Sequence, residues 1–331
     1  MQAILIAGGA GTRLRPYTLA TPKPLLALCG RPVMEYQIDL IKQAGLSRVI
    51  FACGVMADSI REYFGDGRDW GMRFQYAYEM SPLGTAGAIR NCSLMLDGEP
   101  TLVFNADVLT DADLGAILAT HKASGAKVTL TLTPVEDPSR YGVITTDDRG
   151  RVTAFIEKPP PGMAPANTIN AGIYVLEEEI IRRIPSDRAV SIERETYPGL
   201  LAAGVHVQGY VNDRYWLDIG TAESFLQAHW DLLSRRTSGA MGAGEVQEGC
   251  FLGNAAAIPL SVKLIPPVYV DAGVTFEGPC VVGPYAVLNE GVTVASDVTV
   301  SRAVALPGAR VGETLEEGSI VGAAKDGPST P

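Results

Sequence analysis

Short apolar runs alternate with helically spaced segments over the first two thirds of the chain. Ala3–Ala7 is a continuous apolar run, the pattern of a strand covered on both faces. A glycine-rich turn follows. Val33–Ala44 then has helical spacing, with Pro32 near its start and Gly45 as its stop. The same reading predicts strands at Arg48–Ala52, Phe74–Tyr78, Thr101–Asn105 and Lys127–Thr133, and helices at Met56–Phe64, Gly84–Leu96 and Ala112–Ala123. Strand and helix in alternation predict an α/β fold with a doubly wound, mostly parallel sheet. Such sheets bind ligands beyond the carboxyl ends of their strands. The loop after Ala7 and the Asn105-Ala106-Asp107 segment both fall there.

The last third has a different period. From Leu264 the chain keeps a six-residue beat. Leu264, Val270, Phe276, Val282, Leu288, Val294, Val300 and Leu306 are all apolar. The parallel series Val268, Val274, Cys280, Ala286, Val292, Val298 and Val304 is apolar too, and breaks only at Arg310. Glycines fall between them. Hexads that cannot bury their own apolar residues do so by stacking, which predicts a β-helix of hexapeptide repeats, expected to be left-handed. The expected layout is a first domain over 1–236, a Gly/Ala-rich linker over 237–263, the β-helix over 264–324 and a frayed tail over 325–331. The stacked edges and apolar sides of the β-helix predict a homo-oligomer formed through this domain.

Composition narrows the class. A chain of 331 residues with 47% hydrophobic and 19% charged residues has material for two packed domains. Lys and Arg number 27 against 37 Asp and Glu, a net charge of −10. That balance argues against binding to a nucleic-acid backbone or an anionic membrane. Cys29, Cys53, Cys92, Cys250 and Cys280 show no paired spacing, so neither a disulfide framework nor a zinc site is expected. The same cysteine pattern fits a reducing cytosol. Since Met1–Leu14 lacks a basic n-region and no apolar stretch is long enough to span a bilayer, neither a signal peptide nor a transmembrane helix is expected; a cytoplasmic protein is the expectation. His121, His206 and His229 have no ligand spacing and read as structural.

The chemistry begins at Ala7. Glycines at 8, 9 and 11 let the backbone approach a ligand, and consecutive amides in such a loop can hold an anion. Arg13, Arg15 and Lys23 add donors suited to phosphate oxygens. A structural turn explains a glycine-rich loop equally well. In Thr21-Pro22-Lys23-Pro24, two prolines predict a lysine fixed on a stiff extended segment.

The run Gly8-Gly9-Ala10-Gly11-Thr12-Arg13-Leu14-Arg15-Pro16, followed by Pro22-Lys23-Pro24, resembles the signature of the sugar-1-phosphate nucleotidyltransferases, or NDP-sugar pyrophosphorylases. Further segments agree in order: Pro82–Gly87, Asn105-Ala106-Asp107, Tyr141-Gly142-Val143, Glu157-Lys158-Pro159, Asn170–Tyr174 and Trp216–Thr221. The likeness covers 1–236. Pro22-Lys23-Pro24, Leu83–Gly87 and Val190–Glu195 look most like the mannose-1-phosphate guanylyltransferases.

The resemblance implies a Rossmann-like core of nucleotide-diphospho-sugar transferase type. It also implies an in-line attack by a sugar 1-phosphate on the α-phosphorus of an NTP, with pyrophosphate leaving. GTP leads, with mannose 1-phosphate or a related sugar or cyclitol phosphate; thymidylyl or uridylyl transfer to glucose 1-phosphate stays open. The implied catalytic residues are Arg13, Lys23 and Asp107. The implied nucleotide contacts are Ala7, Gly8, Gly9, Gly11, Thr12, Arg13, Lys23, Gly84 and Thr85. Gly142, Glu157, Lys158 and Asn170 are implied for the sugar phosphate, and Asp107 and Asp218 for Mg2+. Glu157 and Lys158 would alternate faces in a regular strand, so a bulge or Pro159 has to bring both to the site. Two other classes fit parts of the chain. Hexapeptide β-helices occur in acyltransferases, but those use a histidine and none follows His229. A regulatory subunit would be expected to lack the phosphate and metal residues that this chain retains.

Overall fold

The computed structural model describes residues 1–54, 56–254 and 256–322. The expected tail at 325–331 and the last two residues of the expected β-helix lie outside them. The chain divides into two compact units. The first comprises residues 1–10, 21–24 and 37–216; the second comprises 11–20, 25–36 and 217–331. This division does not follow the boundary expected at residue 236.

The first unit holds a nine-stranded sheet made of β1 (Gln2–Ala7), β2 (Arg48–Cys53), β3 (Arg73–Tyr78), β4 (Thr101–Asn105), β5 (Val128–Pro134), β6 (Gly142–Thr146), β7 (Val152–Glu157), β8 (Thr168–Leu176) and β9 (Val207–Val211). Its order is β7-β6-β8-β4-β1-β2-β3, with β5 paired to β8 and β9 to β5. Strands β3, β2, β1 and β4 run parallel, as the alternating pattern predicts. β8 joins β4 antiparallel, and the rest of the sheet grows from it. β1 and β4 are neighbours although far apart in sequence, so the strand order reverses between them, the usual place for a ligand crevice. Helices α1 (Val33–Gln43), α2 (Ala57–Phe64), α3 (Gly84–Asn91), α4 (Leu114–Ser124), α5 (Glu178–Arg183) and α6 (Tyr197–Ala202) connect the strands. The helix expected to reach Leu96 stops at Asn91 and tightens into a 3-10 turn over Cys92–Met95. One core cluster includes Ile4, Val103, Leu130 and Tyr174, each buried to 1% exposure or less. Two of the three histidines are buried in the packing: His121 Nδ1 meets Thr129 Oγ1 at 2.9 Å, and burial pushes the His229 imidazole down to about 4.

The second unit carries α7 (Ala222–Leu233), started by a reciprocal cap between Thr221 and Ser224, and a β-helix with three faces. Cys250 pairs with Val268 and Val268 with Ala286, so each coil takes eighteen residues, three hexads. The stack begins at Cys250–Leu252, and Val262–Leu264 is already part of it. Much of the stretch read as a linker is therefore the first coil, hidden because its Gly and Ala content masks the beat. The beat also shortens twice, the second time where Val304 pairs with Ile320, sixteen residues on. The first time, Ala286 pairs with Ala303, seventeen residues on, because the corner at Arg302 (φ 46°) is one residue short. After Val300 the core residues are Ala303, Ala305, Ala309 and Val311. Arg310, the misfit in the sequence pattern, consequently lies outside and forms a bidentate pair with Glu277 at 2.6 and 2.7 Å. The outward ladder Phe251, Tyr269, Val287 and Val304 is also buried. Within this unit Gly30 packs against the Tyr269 hydroxyl and donates its amide to Asn289 Oδ1 at 3.2 Å. Among the described residues all five cysteines are free and buried, and no helix is long and apolar enough to cross a membrane.

Gly283 shows how tight the coil is. Its φ is +108°, and a Cβ there would stand 1.8 Å from the Ile265 carbonyl oxygen. Left-handed backbone strain and overpacking together make Gly283→Ala cost about 3 kcal/mol or more. A denaturant titration should show the loss as a lower midpoint; an unchanged midpoint would show that the corner relaxes freely.

Candidate active site

Parallel register aligns three strand ends. Ala7 stands beside Cys53, and Cys53 beside Tyr78, so Gly8, Gly54 and Glu79 follow in a row. The row is crowded. A Cβ on Gly54 would lie 2.7 Å from the Gly8 carbonyl oxygen, and one on Gly8 would lie 2.8 Å from Glu79 Oε1. Glu79 Oε2 accepts the Leu83 amide at 3.1 Å. Burial raises the Glu79 carboxyl above its ordinary value, and the Leu83 hydrogen bond opposes that shift. Gly8 is thus demanded by its neighbours, whereas Gly9 is open.

The centre of the unit's carboxyl-end surface is an ion pair. Lys23 Nζ lies 2.7 Å from Asp107 Oδ2, the lysine 11% and the aspartate 33% exposed. Pro22-Lys23-Pro24 is not extended as expected: Lys23 starts a 3-10 turn. Asp107 sits just beyond β4 in a turn that other groups hold. Gln37, on α1 and 1% exposed, donates its Nε2 to the carbonyls of Asn105 at 2.9 Å and Val108 at 2.8 Å. Ala106 donates its amide to Ile6 at 3.1 Å. Asn105 is fixed in turn. Tyr174 donates its hydroxyl to Asn105 Oδ1 at 2.8 Å, and the bulge at Gly172 (φ +73°) makes room for the asparagine side chain.

β6, β7 and β8 supply the residues expected for a sugar phosphate. Glu157 closes β7 against Gly142, where a Cβ would meet Glu157 Oε2 at 3.0 Å. Lys158 adopts φ 49°, which breaks the strand alternation, and its amide donates to Tyr141 at 2.9 Å. Its ammonium therefore turns back to Glu157 Oε1 at 3.8 Å. This left-handed residue, not a bulge in the strand, is what lets the two side chains meet. Burial raises the Glu157 carboxyl, the charge of Glu193 raises it further, and Lys158 pulls it down. Asn170 Oδ1 accepts the Gly172 amide at 3.3 Å. Thr85 donates its hydroxyl to Glu193 Oε2 at 2.9 Å and accepts the Ile192 amide at 2.8 Å. Gly84 (φ +72°) abuts the Val190 carbonyl. Trp216 packs on Tyr141 and donates Nε1 to the Ala171 carbonyl at 2.8 Å.

Gly11, Thr12, Arg13 and Asp218 belong to the second unit. Gly11 takes φ 58° at the head of a 3-10 turn over Thr12–Leu14, and its carbonyl accepts the Thr18 hydroxyl at 2.8 Å. Arg13 and Asp218 meet at Gly220, where a Cβ would stand 2.9 Å from Arg13 Nη2 and 3.1 Å from Asp218 Oδ2.

Sequence reasoning missed Glu79, Gln37 and Glu193. Glu79 had a legible signal, a carboxylate directly after the third parallel strand. Gln37 had none, since a buried amide on a helix looks like any polar residue of an amphipathic face. The arrangement offers fixed cations, acceptor carboxylates and close backbone approach, the equipment for handling phosphate groups.

Residues 2–235 match the nucleotidyl transferase family, and the chain belongs to it. It is 38% identical to mannose-1-phosphate guanylyltransferase of Mycobacterium tuberculosis over 84% of this chain and 80% of that one. It is 32% identical to UTP–glucose-1-phosphate uridylyltransferase of Synechocystis, covering 95% and 87%. Among solved structures, HddC from Yersinia pseudotuberculosis complexed with GMP-PN superposes with a TM-score of 0.60 at 26% identity, covering 70% of this chain and 99% of that one. A putative glucose-1-phosphate thymidylyltransferase from Bacillus anthracis superposes at 0.63 with 25% identity, covering 70% and 94%.

Removing the Gln37 amide leaves two turn carbonyls without their donor, a loss of about 1–3 kcal/mol. Gln37→Ala is expected to lower stability by this amount and to lower turnover through a displaced Asp107. Full turnover in a stably folded variant would show that the turn holds itself.

Proposed function

We propose that this chain is a sugar-1-phosphate nucleotidyltransferase that joins GTP and a sugar 1-phosphate, with mannose 1-phosphate the leading candidate, and releases pyrophosphate. The observation that carries the reading is the Lys23–Asp107 pair, held by Gln37 beyond β4 and beside the end of β1. The attacking group is a phosphate oxygen that already carries negative charge. It needs positioning and relief from repulsion, not a protein nucleophile or base. Lys23 supplies a largely buried positive charge for the triphosphate. Lys158 and Glu157 supply a donor for the sugar phosphate and an acceptor for its hydroxyls. For Arg13 and Asp218 the phosphate and metal roles rest on the resemblance.

Mg2+ belongs to this proposal. The donor chemistry fits: Asp107 offers hard carboxylate oxygen, and its Oδ1 carries no hydrogen bond among the described residues while Oδ2 faces Lys23. Such an ion needs only one or two protein carboxylates, with substrate phosphates and water completing its shell. When bound, the ion would neutralise phosphate charge. Assembly with a second copy through the β-helix is part of the same proposal, and light scattering that gives a strict monomer would contradict it.

Glu79 supports guanine as the base. An ionised carboxylate is an acceptor only, and guanine presents two adjacent donors, its ring N–H and its amino group, on one edge. Adenine presents a donor beside an acceptor. The wider kinship includes a uridylyltransferase and a thymidylyltransferase, so ATP, CTP, GTP, TTP and UTP should each be assayed with mannose and glucose 1-phosphates. Pyrophosphate release is expected to be highest with GTP and mannose 1-phosphate. Faster release with UTP or TTP would overturn the base assignment, and none with any pair would overturn the reaction.

Lys23→Ala should lower turnover about 10²–10³-fold, the usual cost of one such charge-stabilising donor, with the fold intact. Near wild-type turnover would remove Lys23 from the mechanism. Because the Glu79 pKa is raised, its acceptor form is lost as pH falls through that value. The KM for GTP should therefore rise toward acid pH in the wild type. In Glu79→Gln it should be raised about tenfold at neutral pH, in line with losing a charged hydrogen bond, and should lose that pH dependence. A KM unaffected by either change would exclude Glu79 from base recognition.

A further inference from the structure

The segment over Val190–Glu195 was singled out in the sequence, yet nothing in the proposed reaction uses it. In the structure it is stitched to the start of α3. Val190 donates its amide to the Leu83 carbonyl at 2.8 Å, and Ala86 and Gly87 return theirs to the Val190 carbonyl at 3.0 and 3.4 Å. Two of the amides that open α3 are thereby consumed by protein. Thr85 completes the seam with both of its hydroxyl contacts, to Glu193 and to the Ile192 amide.

Glu193 lies in a single turn of π-helix over Ile192–Thr196, a form that recurs where function requires a displaced side chain. The Ser191 and Thr85 hydroxyls both donate to its Oε2 at 2.9 Å, while Oε1 carries no hydrogen bond among the described residues. The same turn packs on β7 next to Glu157, and Tyr197, at its end, sets its ring 5.4 Å from that of Phe155. The two carboxylates are close enough that the charge of Glu193 helps to raise the Glu157 carboxyl. Holding two acceptors this near each other costs energy, and two donors arriving together offset that cost.

We infer that Glu193 is a second sugar-reading acceptor, that with Glu157 it selects a hexose ring bearing two neighbouring free hydroxyls, and that Thr85 is the positioning residue that aims it. The inference rests on the reaction proposed above and adds to it the residue that chooses the sugar. It also gives Thr85 a role on the sugar side in place of a nucleotide contact.

The test compares mannose 1-phosphate with its 2-deoxy, 3-deoxy and 4-deoxy forms, using GTP and the full-length protein. In the wild type, the form lacking a hydroxyl read by Glu193 should lose about 10–100-fold in kcat/KM, the range of a hydrogen bond to a charged group. In Glu193→Gln that penalty should shrink to about twofold for one hydroxyl only, with the KM for GTP unchanged. Thr85→Val should shrink the same penalty, and Thr85→Ser should restore it. Should Glu193→Gln fail to fold, Glu193→Asp keeps the charge and withdraws the carboxylate, and must show the same selective loss. Turnover with every penalty intact in the Glu193 variants, or a rise in the KM for GTP instead, would overturn this inference alone. Absence of turnover by the wild type with every substrate pair would overturn the reaction and this inference with it.

Discussion

The ion pair between Lys23 and Asp107 is the constraint around which the first unit is arranged. A lysine nearly withdrawn from solvent needs a partner, and the carboxylate 2.7 Å away meets that need only if the turn after β4 stays in place. Gln37 ties that turn from α1, Ala106 ties it to β1, and Tyr174 with the bulge at Gly172 fixes Asn105 behind it. Each of these contacts joins elements far apart in sequence. The charge pair is therefore a product of the whole sheet, not of a local loop.

The strand pattern showed how much of this was readable beforehand. Ala3–Ala7 and Thr101–Asn105 read as strands of a mostly parallel sheet, and the rule that such sheets bind ligands beyond their carboxyl ends picked out the Asn105-Ala106-Asp107 segment; the reversal of order between them is a property of the folded sheet. The hexads were equally plain. What escaped was whatever depends on register between strands. Glu79 reaches Gly8 because β1, β2 and β3 end level, and spacing along the chain does not encode that. Lys158 turns back to Glu157 through one left-handed residue, and nothing in the identity of lysine foretells a φ of 49°. The one-residue slip at Arg302 left its trace only as a misplaced arginine at 310.

The β-helix obeys the same rule of stacking throughout. Its coils pair at intervals of eighteen residues until one corner is shortened, and small alanines at 303, 305 and 309 fill the inner positions that follow. Its outer ladder is buried rather than solvated, and at Tyr269 Gly30 leaves room for the hydroxyl while Asn289 accepts the Gly30 amide. Loop residues from the start of the chain are thereby built into the second unit.

A site made of fixed charge and acceptor groups is the ground for the direct displacement at phosphorus proposed above. The most direct test is stereochemical: run the reaction with GTP made chiral at the α-phosphorus by one sulfur, and determine the configuration of the nucleotide sugar formed. Inversion is the expected result. Retention would require two successive displacements through a covalent protein adduct and would contradict direct transfer.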